Sequence, residues 1–215
     1  MMRGFSEIAF TPQVKAAQER MGSRRSYARL EQGPSTPDTL GEDEVGFLGE
    51  RDSFYMASIG ESGWPYIQHR GGPKGFVRVL DERTLAFADL RGNRQYISVG
   101  NVASDERVAL IFVDYPNRAR LKVLARATTV TRADDPETFS RVAGNAPAER
   151  IFVLRVEGLD WNCPQHITPR FTEDEVRELT NPLMERLQSL ERENASLRER
   201  LGKSANKSGP PAKTP

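Results

Sequence analysis

The chain has 215 residues, with 31 lysines and arginines against 30 aspartates and glutamates, for a formal net charge of +1. That balance lacks the basic surplus of a general nucleic-acid binder, and a mean hydropathy of -0.59 with no apolar run longer than residues 108–113 offers no membrane-spanning helix. A single cysteine, Cys163, excludes an intrachain disulfide and a cysteine-cluster zinc centre, so no metal site is expected. The first residues carry no apolar stretch of the signal-peptide kind, and a cytoplasmic protein of one domain with extensions is the expectation.

In chain order, residues 1–44 read as an N-terminal helical extension. Thr11 supplies a cap and Pro12 a first helical position where its missing N–H costs nothing, so a helix is predicted over 11–21, stopped by Gly22 and Ser23. Residues 33–38, Gly33-Pro34-Ser35-Thr36-Pro37-Asp38, read as an irregular connector.

Residues 45–171 alternate short strand-like runs with turn chemistry. Strands are predicted at 53–59, 65–70, 76–80, 84–89, 107–114, 120–132 and 151–156, with Asp81-Glu82-Arg83 as a hairpin connection. In the sixth run Leu121, Val123, Ala125 and Ala127 alternate with Lys122, Leu124, Arg126 and Thr128, nearly the period of a half-buried antiparallel strand. Small helices are predicted at 93–102 and at 136–143 behind an Asp134-Asp135 cap. The fold class expected is mainly β with small helices: a closed or partly closed antiparallel barrel, since closure removes exposed edges. Neither βαβ alternation nor a Gly-x-Gly-x-x-Gly motif is present, which argues against a dinucleotide-binding fold.

Residues 172–202 read as C-terminal helices. Thr172 and Glu175 form a capping box, and Asn181-Pro182 a second start. From there Leu183, Leu187, Leu190, Asn194, Leu197 and Leu201 are spaced four, three, four, three and four. With leucines 183, 190 and 197 at d, Asn194 takes an a position, the usual device for fixing register in a parallel two-stranded coil. Arg186 and Glu193 then fall at g, Glu191 and Arg198 at the following e positions, opposite in sign across a parallel pair. The other reading is an amphipathic helix packed on its own domain. Residues 203–215, rich in Lys, Ser, Gly and Pro, are expected to form a disordered tail.

Three segments could carry chemistry. Arg91-Gly92-Asn93-Arg94-Gln95-Tyr96 follows a predicted strand and opens a predicted helix; two guanidinium groups, a glycine and free helix-start N–H groups suit an anion, although a solvated basic turn reads the same way. In Gln68-His69-Arg70-Gly71-Gly72-Pro73-Lys74-Gly75, alternation sets Gln68 and Arg70 on one face and His69 on the other, while the glycines let backbone approach a flat ligand; a tight hairpin with an exposed arginine is the alternative. The third is Cys163-Pro164-Gln165-His166. As nucleophile and base, or as metal ligands, Cys163 and His166 need partners the chain lacks, His69 being the only other histidine.

These motifs, with 52–57, 63–73, 85–89, 91–98 and 160–171 as they stand, resemble the pyridoxamine 5'-phosphate oxidase-related, flavin-nucleotide-binding proteins over roughly residues 5–172. The resemblance implies an FMN-binding split β-barrel, built as a homodimer with flavin at the subunit interface. It implies Arg70 as the second-strand arginine beside the flavin and Asn93, Arg94 and Gln95 in place of a Ser-Arg-Lys run that holds the FMN phosphate. Gln95 there replaces a lysine, with Arg91 and Gly92 adjacent and Arg120 a weaker candidate at the start of the long strand. The Arg-x-His pair that holds substrate in true pyridoxamine-phosphate oxidases does not occur in this chain. The reading that results is an FMN-dependent oxidoreductase acting on a small-molecule substrate other than vitamin B6, with NAD(P)H as a candidate electron donor. A non-catalytic flavin carrier is the alternative.

Overall fold

The computed structural model describes residues 4–31, 38–161 and 165–207. It divides into two compact units, Met1–Thr168 and Pro169–Pro215.

The described residues of the first unit form one antiparallel sheet of seven strands: β1 (Ser53–Ile59), β2 (Pro65–Gly71), β3 (Arg78–Asp81), β4 (Thr84–Leu90), β5 (Arg107–Asp114), β6 (Ala119–Val130) and β7 (Ala148–Trp161). Their order is β2-β1-β5-β6-β7-β4-β3, so β2 and β3 are edges and the ladder does not close on itself. The sheet nevertheless curls: Phe54 on β1 and Phe87 on β4 lie four places apart in the order, yet their ring centroids are 5.1 Å apart. Phe112 and Phe152 complete this fully buried aromatic centre, at 4.8 Å from Phe54 and 5.0 Å from Phe87 respectively. Four large rings filling one concave face are what a split barrel uses as its core, and their contacts bring the outer strands round toward each other.

Around the sheet lie helices α1 (Phe5–Ala9), α2 (Pro12–Arg20), α3 (Arg24–Tyr27), α4 (Glu42–Gly49), α5 (Ile97–Ser104) and α6 (Pro136–Ala143). The Thr11 side chain caps α2 and the Asp135 side chain caps α6, as the sequence signals require. Phe139, Val142 and Ala143 of α6 pack with Ala86 and Ile151 on the convex side. This makes β4 buried on both faces at Leu85, Ala86 and Phe87, which explains its continuous apolar run.

Two expectations for this unit need correction. The last strand is far longer than 151–156, because a bulge absorbs Glu157: Leu124 pairs with Gly158 while Ala125 pairs with Val156. The helix expected from residue 93 starts at Ile97, because Arg94 and Tyr96 hold φ of 60° and 53°, outside the right-handed helical region. The unclosed ladder is the partly closed form of the expected barrel.

Among the described residues of the second unit there is one helix, α7 (Glu173–Lys207). Its start is the expected box, in which the Thr172 N–H donates to Glu175 at 2.7 Å and the Glu175 N–H donates to Thr172 at 3.2 Å. No second start occurs at Asn181; Pro182 sits inside the helix, its fixed φ compatible with helix and one backbone hydrogen bond lost. The helix also continues beyond residue 202, to Lys207. Among the described residues no helix is long and apolar enough to cross a membrane.

Candidate functional site

One recess, about 220 Å³, gathers most of the predicted residues: Gln68 and Arg70 from β2, Gly92, Asn93, Arg94 and Gln95 from the loop after β4, and the first turn of α5. Strand alternation delivers the first two. Along β2 Tyr66, Gln68 and Arg70 turn to the half-buried side, while Ile67 and His69 face outward. The Gln68 Oε1 accepts hydrogen bonds from Tyr66 at 3.2 Å and Ser98 at 3.3 Å, fixing the side chain between β2 and α5.

Arg70 is held more firmly. Its Nη1 donates to Asp89 at 2.8 Å, and its guanidinium lies over the rings of Phe87 and Phe152, 5.7 and 5.3 Å from their centroids. Because Arg70 comes from the edge strand β2 and Asp89 from β4, this ion pair spans the split in the barrel. The other Asp89 oxygen accepts from Arg150 of β7 at 3.1 Å, and Asp89 is only 8% exposed. Arg150 also pairs with Glu149 and rests 4.9 Å from the Tyr96 ring centroid. Glu149 reaches the recess through a second bulge, where Asp89 pairs with Arg150 but Leu90 pairs with Ala148. Two arginines and two carboxylates therefore neutralise one another in the wall.

The loop supplies what the wall does not. Asn93 accepts the Gln95 N–H at 3.2 Å, closing a tight turn that throws Arg94 and Tyr96 into the left-handed region. Arg94 donates from Nε to the Tyr96 hydroxyl at 3.0 Å, and that hydrogen bond holds its pKa above the ordinary guanidinium value. That hydrogen bond goes to a phenol rather than a carboxylate. Tyr96 occupies the N-cap of α5 without a capping side-chain bond, and Ile97, Ser98 and Val99 line the recess. An uncapped helix start beside a cation is an arrangement that receives an anion. A further observation points to a ligand: the Nε of Arg70 is buried without a hydrogen-bond partner.

The remaining predicted residues stand elsewhere. His69 faces away and meets the Tyr55 ring edge-on at 5.3 Å. Arg91 is exposed and absent from the recess lining. Arg120 lies half-buried opposite Val113, also outside the lining, with its own Nε buried and unpartnered. Cys163 lies outside the described residues, so its pairing with His166 is not placed. Sequence reading passed over Asp89, Glu149 and Arg150 as site residues. For Asp89 there was a signal, an acidic residue ending an apolar strand, which burial permits only when it is paired; for the β7 pair the signal is a long-range register that no local pattern carries.

A family model described as pyridoxamine 5'-phosphate oxidase matches residues 40–160, more than half of the chain. Among solved structures, a putative pyridoxamine 5'-phosphate oxidase from Lactobacillus delbrueckii is 23% identical, over 57% of this chain and 94% of that one, with a TM-score of 0.46. HupZ of Group A Streptococcus is 16% identical over 61% and 100%, TM-score 0.47. An FMN-binding protein from Syntrophomonas wolfei is 10% identical over 67% and 97%, TM-score 0.44. No curated protein matches the chain.

Proposed function

The chain belongs to the pyridoxamine 5'-phosphate oxidase family, and from that premise we propose that it is an FMN-binding oxidoreductase whose phosphate-end site is the recess between β2, the loop after β4 and α5. The observation that carries the reading is a convergence in one recess: a guanidinium whose hydrogen bond goes to a phenol, an uncapped helix start, and the orphaned Nε of Arg70. Arg94 with the α5 backbone would hold the phosphate, Asn93 and Gln95 would border it, and Gln68 and Arg70 would face the ribityl chain or ring. The isoalloxazine would supply the redox chemistry, the protein orientation and electrostatics.

The recess, about 220 Å³, is smaller than the ~300–1,000 Å³ that encloses a whole drug-sized ligand. One copy therefore covers only part of a flavin nucleotide, which supports a homodimer with the ring between subunits. A small-molecule substrate and an NAD(P)H donor complete the proposal.

One observation favours the carrier reading instead. Both carboxylates of the recess, Asp89 and Glu149, are engaged by arginine, so neither stands ready to move a proton. Absorbance of the purified protein near the flavin bands, then NAD(P)H oxidation, separates the cases: colour with turnover supports the oxidoreductase, colour without turnover the carrier, and a protein that stays colourless in excess FMN contradicts both. Arg94→Ala is expected to weaken FMN by about 1.5–3 kcal/mol, roughly 10- to 150-fold; unchanged affinity would remove Arg94 from the site.

A further inference from the structure

The flavin reading leaves α7 without a role, and this helix carries a line of apolar side chains. Val176, Leu183, Leu187, Leu190, Leu197 and Leu201 are between 44% and 70% exposed. Uncovered, such a stripe is unfavourable in water, and a heptad-spaced stripe fits another helix better than it fits a flat surface. We propose that α7 pairs in parallel and in register with α7 of a second copy of this chain, forming a short two-stranded coil.

Charge and polarity choose both occupant and direction. With Leu183, Leu190 and Leu197 at d, Leu187, Asn194 and Leu201 fall at a. In a parallel pair a faces a, so Asn194 meets Asn194 of the partner subunit and the two amides satisfy each other. In an antiparallel pair a faces d, and Asn194 is set against a leucine with its hydrogen bonds unmade. The flanks agree with the parallel choice: Arg186 meets Glu191 of the partner subunit, and Glu193 meets Arg198 of the partner subunit. Leu187, Leu190, Glu191, Asn194 and Arg198 border one groove along the helix surface, the seam together with its charged margin. From Val176 to Leu201 the seam runs about 39 Å at 1.5 Å per residue. A coil this short is marginal alone, so it reinforces a dimer and sets the orientation of its two chains.

The pairing does not depend on flavin, and its test is read with or without FMN. In full-length protein carrying Cys163→Ser, Asn194→Cys is exposed to oxidised glutathione beside a control with Arg192→Cys, whose f position faces away from the seam. The parallel coil brings the two residue-194 Cβ atoms within disulfide reach, so the expected result is a covalent dimer forming at least tenfold faster at 194 than at 192. Similar rates at both positions, or no cross-link at 194, would overturn the proposal. Sedimentation of Asn194→Leu gives a second reading that needs no thiol: loss of the a-position amide is expected to shift the oligomer distribution toward higher order, and an unchanged distribution would contradict the assignment.

Discussion

Replacing Asp89 tests the electrostatic wall of the recess. Its two oxygens accept from Arg70 at 2.8 Å and from Arg150 at 3.1 Å, and the three side chains are between 10% and 18% exposed. Asp89→Ala strips the shared counter-charge from both guanidinium groups. Removing one partner of a buried pair costs about 3–5 kcal/mol, and a charged hydrogen bond contributes about 1.5–3 kcal/mol. The loss here falls below the sum, because Arg150 keeps Glu149 and Arg70 keeps two ring faces. About 2–4 kcal/mol is expected for Asp89→Ala, and about half that for Asp89→Asn, which retains one acceptor. Urea unfolding of the flavin-free protein at neutral pH measures it, provided the slope is unchanged between variants. Adding Arg70→Met to Asp89→Ala should recover part of the loss, since no cation then faces an empty place on that side. A loss under about 0.5 kcal/mol, or strict additivity of the two changes, would refute the claim that this ion pair ties β2 to β4 across the split.

Two further predictions address other parts of the first unit. At Gly158 an added Cβ would stand 2.7 Å from the Phe5 Cα and 2.9 Å from its N, while the Phe5 N–H and the Leu159 N–H both donate to the same Asp38 oxygen, at 2.9 and 2.8 Å. Gly158→Ala should therefore push α1 off β7, raising amide exchange at residues 5–10 and leaving the sheet core protected; unchanged exchange there would contradict the packing. The Asp105 carboxyl is lowered to about 2, chiefly by its side-chain hydrogen bond to Arg107 and then by the Arg107 backbone N–H. A folded-state value below the unfolded one of about 3.9 means that its stabilisation is complete above that pH and is lost as pH falls toward 2. In an NMR titration Arg107→Gln should raise the Asp105 midpoint toward the ordinary range, and an unmoved midpoint would remove Arg107 as the cause.

Much of this architecture was legible from local chemistry. The cap at Thr11, the Asp135 cap with Pro136, and the box at Thr172 fix helix starts through hydrogen bonds that two or three adjacent residues supply, so they read directly. The alternation along β2 separated Gln68 and Arg70 from His69 correctly for the same reason. What escaped depends on partners distant in the chain. Polar residues break the apolar run of β7 at Arg155 and Glu157, yet the ladder with β6 carries the strand on to Trp161. The turn at Asn93–Tyr96 is set by an Asn93 side-chain bond and left-handed backbone at two non-glycine residues, which helix propensity cannot anticipate. Arg150 enters the site only because its register on β7 opposes Asp89. Pro182 read as a helix start and proved to be interior, since a single lost bond does not stop a long helix.

The central claim is that the loop after β4 and the first turn of α5 grip a phosphate. Equilibrium titration with FMN against riboflavin, which differ only in that group, measures it most directly through flavin fluorescence. Riboflavin is expected to bind at least ~10-fold more weakly than FMN, consistent with a charge-assisted contact of ~1.5–3 kcal/mol, with the difference largely abolished in Arg94→Ala. Equal affinity for the two flavins in the unaltered protein would contradict the account.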